Sequence, residues 1–138
     1  MTQGTGIYVA SRVKHAGMWK AARAEGAPII SSWIDEAGEG ETGDFGELWT
    51  RIQREVSGAA RLVFFAEVDD FPFKGALVEV GIALQAGIPV YLVLDPDIEL
   101  ETRSLRPLGS WAKHPAVHWV PTLYDALNGA GGESENGK

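Results

Sequence analysis

The chain has 138 residues, 45% of them hydrophobic and 22% charged, which bounds it to one globular domain with a single core. Its formal net charge of −7 argues against binding a DNA or RNA polymer, which needs a positive face, yet leaves room for a single nucleotide held by one or two local cations. There is no cysteine, so disulfides, thiolate catalysis and cysteine-ligated zinc are excluded.

Residues 1–6 are polar, and no apolar run approaches the roughly 20 residues of a membrane span. The expectation is a cytoplasmic protein with no membrane partner. Along the chain, strand-like and helix-like patterns alternate. Residues 6–10 form a short β-rich run, and 14–24 read as a helix broken by Gly26. Residues 28–34 are a second strand candidate, and 38–43 are a polar, glycine-rich loop. Asp44 is placed to cap a helix reaching Val56, with Phe45, Leu48, Trp49, Ile52 and Val56 at helical spacing and Glu47 three residues after the cap.

Residues 61–66 (Arg-Leu-Val-Phe-Phe-Ala) are a buried-type strand, followed by a loop at 67–74. Residues 75–86 read as a helix ended by Gly87, and 88–94 as a continuous apolar strand suited to the middle of a sheet. A short last strand at 116–120 leads to Pro121, a residue suited to the first turn of a final helix. The composition of 129–138 predicts a disordered tail, leaving one domain over 1–128.

Five strands alternating with helices predict an α/β fold: a flavodoxin- or Rossmann-like, doubly wound, five-stranded parallel sheet of order 2-1-3-4-5. Ligands of such sheets bind beyond the carboxyl ends of the strands at the switch point, here between the first and third strands. The loops at 11–15 and 67–75 would then flank the site.

Glu79 is the most informative position. It is the only charged residue between Gly75 and Leu94, inside a helix apolar on nearly every side. Such a helix is expected to be buried, and a buried carboxylate is costly unless it is hydrogen-bonded or useful. It lies about one turn into the helix after the third strand, near the predicted crevice, with Gly75 and Gly81 allowing close approach.

Tyr8, followed by Ala10-Ser11, together with Lys74-Gly75-Ala76-Leu77-Val78-Glu79-Val80-Gly81-Ile82-Ala83-Leu84 and then Gly87-Ile88-Pro89-Val90, resembles the nucleoside 2-deoxyribosyltransferase superfamily over residues 6–94. The resemblance implies that Glu79 is a nucleophile toward the anomeric carbon of a deoxyribose, displacing the base to form a glycosyl ester, and that Tyr8 hydrogen-bonds it. The chemistry is that of a retaining glycosidase. Two positions depart from the family pattern. Phe73 stands where a sugar-contacting Asp is common, and Arg61 where an Asp serves the departing base; Asp69, Asp70 or Asp35 could supply those contacts instead.

The run Ser11-Arg12-Val13-Lys14-His15 opens a helix, and helix N-termini bind anions. With Arg12 and Lys14 it makes a candidate 5′-phosphate cradle, which resembles the nucleotide hydrolases of the superfamily more than the free-nucleoside transferases. Trp33 could stack on a base, and Asp35 could accept a hydrogen bond from one. His114 and His118 have no ligand spacing, and no dinucleotide or triphosphate motif is present, so neither a metal nor a cofactor is expected.

The function expected is N-glycosidic cleavage of a deoxynucleoside 5′-monophosphate, with free base as a product. Deoxyribosyl transfer between bases, a non-catalytic nucleotide-binding module and, more remotely, a TIR-like NAD glycohydrolase are the alternatives. The resemblance also implies a homo-oligomer, with the helix around Trp49 as a candidate interface.

Overall fold

The computed structural model describes residues 5–37, 43–101, 103 and 105–128. Residues 38–42 of the expected flexible loop and the whole expected tail at 129–138 lie outside them. Four parallel strands, β1 (Ile7–Ala10), β2 (Arg61–Ala66), β3 (Val90–Leu94) and β4 (Val117–Trp119), form one sheet in the order β1-β2-β3-β4. Tyr8 pairs with Leu62, Leu62 with Val90, and Val90 with Val117. Both faces are covered by helices: α1 (Ala16–Ala24), α2 (Trp33–Glu36), α3 (Phe45–Ser57), α4 (Gly75–Gln85) and α5 (Leu123–Asn128).

The alternation of side chains along each strand divides the core in two. Tyr8, Ala10, Leu62, Phe64, Ala66, Val90 and Leu92 pack against Ile52 and Val56 of α3 and against Ala76, Val80 and Ala83 of α4. Ile7, Val9, Val63, Tyr91 and Val93 pack on the other face against Trp19 of α1, Ile34 of α2 and Ala126 of α5. The α/β architecture with a doubly covered parallel sheet is therefore as expected.

The strand count is not. The expected second strand at 28–34 contributes one parallel bridge, Ile29 to Ile7, on the free side of β1. The reason lies in Ser31, whose buried Oγ accepts the Val9 N–H at 2.7 Å and so takes a donor that a longer strand would have used. The chain then turns into α2 at Trp33. Gly6 permits the approach, because a Cβ there would collide with the Ile30 side chain.

Local signals set α3 closely. Asp44 accepts the Glu47 N–H at 3.0 Å, satisfying a free donor of the first turn. In α4, Ala76, Glu79, Val80 and Ala83 are buried, a stripe at i, i+3, i+4 and i+7. The helix is not buried all round as its composition suggested: Leu77, Val78 and Gly81 face outward, and Val78 is 54% exposed. Glu79 thus occupies a core-facing position on the same sheet face as Tyr8.

Candidate active site

A cleft of about 510 Å³ opens beyond the carboxyl ends of β1 and β2. Four segments build it. Ser11, Arg12 and Val13 follow β1; Trp33 and Glu36 come from α2 and Ala37 follows it; Leu48, Trp49 and Ile52 come from α3; and Pro72 to Ala76 lead into and begin α4. Glu79 joins them one turn into α4. The size suits a small-molecule ligand, and the walls are mainly apolar with a few polar groups, as such sites usually are.

Glu79 is 8% exposed, and that small opening is to the cleft. Burial pushes its carboxyl up to about 8; the Tyr8 hydroxyl opposes this, and the Glu55 charge on α3 adds to it. Tyr8 is fully buried, and its hydroxyl is driven far above the ordinary tyrosine range by burial first and by Glu79 second. The Tyr8 hydroxyl acts toward Glu79 as a side-chain hydrogen-bond donor and each shifts the other's titration, though the contact lies outside the distance and angle of a well-formed bond, and among the described residues no other group partners the Tyr8 oxygen. A buried hydroxyl left open beside a carboxyl is a donor held ready for the ionised form.

Of the residues singled out in the sequence, Ser11, Arg12, Trp33, Gly75 and Glu79 line the cleft, with Tyr8 beside Glu79. The Arg12 guanidinium is fixed by donating from one nitrogen to the carbonyls of Asp70 at 2.8 Å and Pro72 at 3.4 Å. Ser11 Oγ accepts the Trp19 indole N–H at 2.9 Å. The Trp33 indole donates to the Val9 carbonyl at 2.8 Å, which locks its ring as part of the wall. Gly75 lies against Trp49, whose ring would stand 3.4 Å from an added Cβ.

Lys14, Asp35, Asp69 and Asp70 do not line the cleft. Asp35 is held in a two-point ion pair by Arg23 of α1, at 2.7 and 3.0 Å. Asp70 is fully buried and belongs to a latch between the two loops flanking the cleft. Its Oδ2 accepts the Glu67 N–H at 2.7 Å and faces His15 Nε2 at 2.9 Å, while Lys14 Nζ stands 3.2 Å from Oδ1. Burial pushes this carboxyl up, but the Glu67 amide, His15 and Lys14 outweigh it and hold it below the usual carboxylate range. Asp69 is exposed, with Lys14 at 3.8 Å. Lys14 is thereby committed to the latch rather than presented to the cleft. Arg61 begins β2 at the opposite end of the sheet, with its guanidinium 5.6 Å from the Tyr91 ring.

Sequence reasoning missed Glu36, Leu48, Ile52 and Lys74 as cleft residues, and it read Phe73 only as a departure from the family pattern and Trp49 only as part of a candidate interface. Leu48 and Ile52 carried a signal, since they share the i, i+4 apolar stripe of α3. In the Arg51 network the Glu47 pair carried a signal, as an i, i+4 pair on α3, but the Glu36 carboxylate on α2 and the Ser32 hydroxyl carried none, being brought to Arg51 by tertiary packing. Ser32 in turn donates to Glu55 at 2.6 Å.

No protein-family model matches the chain, and no curated protein matches its sequence. Among solved structures, a 2-deoxyribosyltransferase from the psychrotolerant bacterium Bacillus psychrosaccharolyticus has the same fold. It aligns with a TM-score of 0.63 over 90% of this chain and 91% of its own, at 18% sequence identity. The fold of this chain is thus that of a 2-deoxyribosyltransferase. Among the described residues, no helix is long and apolar enough to cross a membrane.

Proposed function

We propose that the protein cleaves the N-glycosidic bond of a deoxynucleoside 5′-monophosphate through Glu79, releasing the free base. The observation that carries this reading is the Glu79 carboxyl, buried in a core-facing position, opening only to the cleft, with the unpartnered Tyr8 hydroxyl beside it. The likeness of fold to a 2-deoxyribosyltransferase and the Gly-x-x-x-Glu-x-Gly run on α4 support it.

In this scheme the ionised Glu79 attacks C1′. The C1′–N bond breaks, its electron pair leaves with the base, and a C1′–O ester forms. Water then attacks C1′ and displaces the carboxylate, and the proton it loses balances the one the departed base takes up. The Tyr8 hydroxyl stabilises the free carboxylate before attack and after release. Arg12, at the mouth of a cleft in an acidic chain, holds the 5′-phosphate; its fork has five donors, and the loop carbonyls engage one nitrogen. Lys74, exposed at the start of α4, adds a second cation on the cleft wall.

The test is to incubate the protein with ribo- and deoxyribonucleosides and their monophosphates and to separate the products by chromatography. Base release by the wild type, abolished in Glu79→Ala, is expected; unchanged turnover in that variant eliminates the scheme. A second reading, deoxyribosyl transfer, is favoured by the activity named for the structural neighbour. Adding a second base and looking for a new nucleoside separates transfer from hydrolysis.

A further inference from the structure

One acid in the cleft has no part in the scheme above. Glu36, the last residue of α2, lines the cleft one turn after Trp33. Its carboxylate is held by two nitrogens of Arg51, NH1 at 3.1 Å from Oε2 and NH2 at 3.2 Å from Oε1. Arg51 is itself anchored, donating to both Glu47 oxygens at 3.1 and 3.0 Å and to the Ser32 hydroxyl at 2.6 Å. Its side chain is only 15% exposed. Glu36 is therefore a fixed group and not a solvated side chain free to swing.

An ionised carboxylate offers about four lone-pair positions and no donor. Arg51 engages one position on each oxygen, leaving the others available. Trp33 and Trp49 line the same cleft as this acceptor, and their aromatic surface suits a base ring. An acceptor-only fork in a cleft with aromatic walls recognises a ring with adjacent N–H donors and disfavours one with carbonyls in the same place.

We infer that Glu36, fixed by Arg51, reads the base and selects guanine. Guanine presents its ring N1–H and its exocyclic amino group side by side, matching the two oxygens. Hypoxanthine lacks the amino group, and thymine and uracil flank their N–H with two carbonyls that a carboxylate repels. The inference rests on the glycosidase reading for its substrate and adds the residue that chooses among bases.

The experiment compares deoxyguanosine and deoxyinosine 5′-monophosphates, which differ only in the 2-amino group, with wild type and Glu36→Gln. A kcat/KM preference for the guanine substrate of roughly tenfold or more is expected in the wild type, since a good two-point base contact discriminates by about that much. Glu36→Gln should collapse it, because an amide offers one acceptor and one donor. In parallel, guanine and hypoxanthine are titrated against tryptophan fluorescence, with Trp33 and Trp49 as reporters.

A wild-type ratio near one, or an unchanged ratio in Glu36→Gln, overturns the inference while base release itself leaves the glycosidase reading standing. If no nucleotide releases base, that reading fails, and the titration decides alone. Tighter guanine binding lost in the variant then supports Glu36 as a base reader, and equal binding overturns it. The wild-type comparison needs no variant, so poor folding of Glu36→Gln does not remove the test.

Discussion

Tyr8 on β1 and Glu79 on α4 meet on one face of the sheet as a buried hydroxyl and a buried carboxyl that influence each other without closing a hydrogen bond. Among the described residues no other hydrogen bond holds the Tyr8 oxygen, and the Glu79 charge state is governed chiefly by burial at the edge of the cleft. Burial holds it neutral over much of the physiological range, and a ligand that completes the site can tip it to the ionised form.

The first prediction concerns stability. The folded Glu79 titrates at about 8 and its unfolded counterpart at the ordinary 4.5. Below pH 4.5 both states are protonated and nothing is lost. As pH rises from there to about 8, the unfolded chain ionises first and the fold is progressively disfavoured, at about 1.4 kcal/mol per unit of difference. Glu79→Gln removes this linkage. Its stability relative to wild type should grow between pH 5 and 9 by roughly 4 kcal/mol, read from urea unfolding at both values. A pH-independent difference would show that the carboxyl is not held neutral.

Tyr8→Phe should separate fold from chemistry. Among the described residues the hydroxyl's one polar contact is with the Glu79 carboxyl, so its removal should leave stability within about 1 kcal/mol of wild type. The same hydroxyl lowers the Glu79 titration, so its loss should move the acid limb of the kcat/KM profile to higher pH. Each unit of that movement reduces the rate at pH 7 by about tenfold. A pH–rate profile for base release, set beside a thermal melt, checks both statements; an unmoved limb would remove Tyr8 from the scheme.

Asp70 is predicted to act through the latch. Asp70→Asn leaves His15 and Lys14 facing a neutral amide and replaces an acceptor of the Glu67 N–H with a weaker one, so the variant should be less stable than wild type at neutral pH. The wild-type contribution is present above the ordinary aspartate range and is lost as pH falls through the depressed folded value. The difference between variant and wild type should therefore shrink under acid, as measured by urea unfolding at pH 7 and pH 3. The variant should also raise KM for nucleotides, because loosening the latch shifts the loop whose main-chain carbonyl at residue 70 holds Arg12.

Arg12→Ala tests the phosphate contact directly. It should raise KM for nucleoside 5′-monophosphates by roughly tenfold or more with little change in kcat, the signature of lost uniform binding. Free nucleosides should be almost unaffected. Steady-state kinetics on a matched nucleoside and nucleotide decide it, and equal losses on both would assign Arg12 to loop structure alone.

Much of the fold was legible because it is written locally. The α3 helix begins where Asp44 caps it and follows the spacing of Leu48, Ile52 and Val56, a pattern of neighbours along the chain. β2 and β3 are apolar runs that only an interior strand accommodates. Glu79 stood out for the same reason, as a lone charge in an apolar helix.

What the sequence could not decide was partnership across the fold. The second strand was lost to a Ser31 hydroxyl meeting the Val9 amide 22 residues away. Asp70 was drawn from the cleft into a latch by His15, 55 residues distant, and Asp35 was taken by Arg23 of another helix. Conversely, Glu36 entered the cleft wall because Arg51 reached across from α3 to hold it. A polar side chain goes to whichever complementary group the packed core leaves within about 3 Å, and that distance is set by helices and strands docking together, not by spacing along the chain. Residue order thus determined the elements and the isolated acid; tertiary packing alone determined which acids and cations face the ligand and which hold the loops.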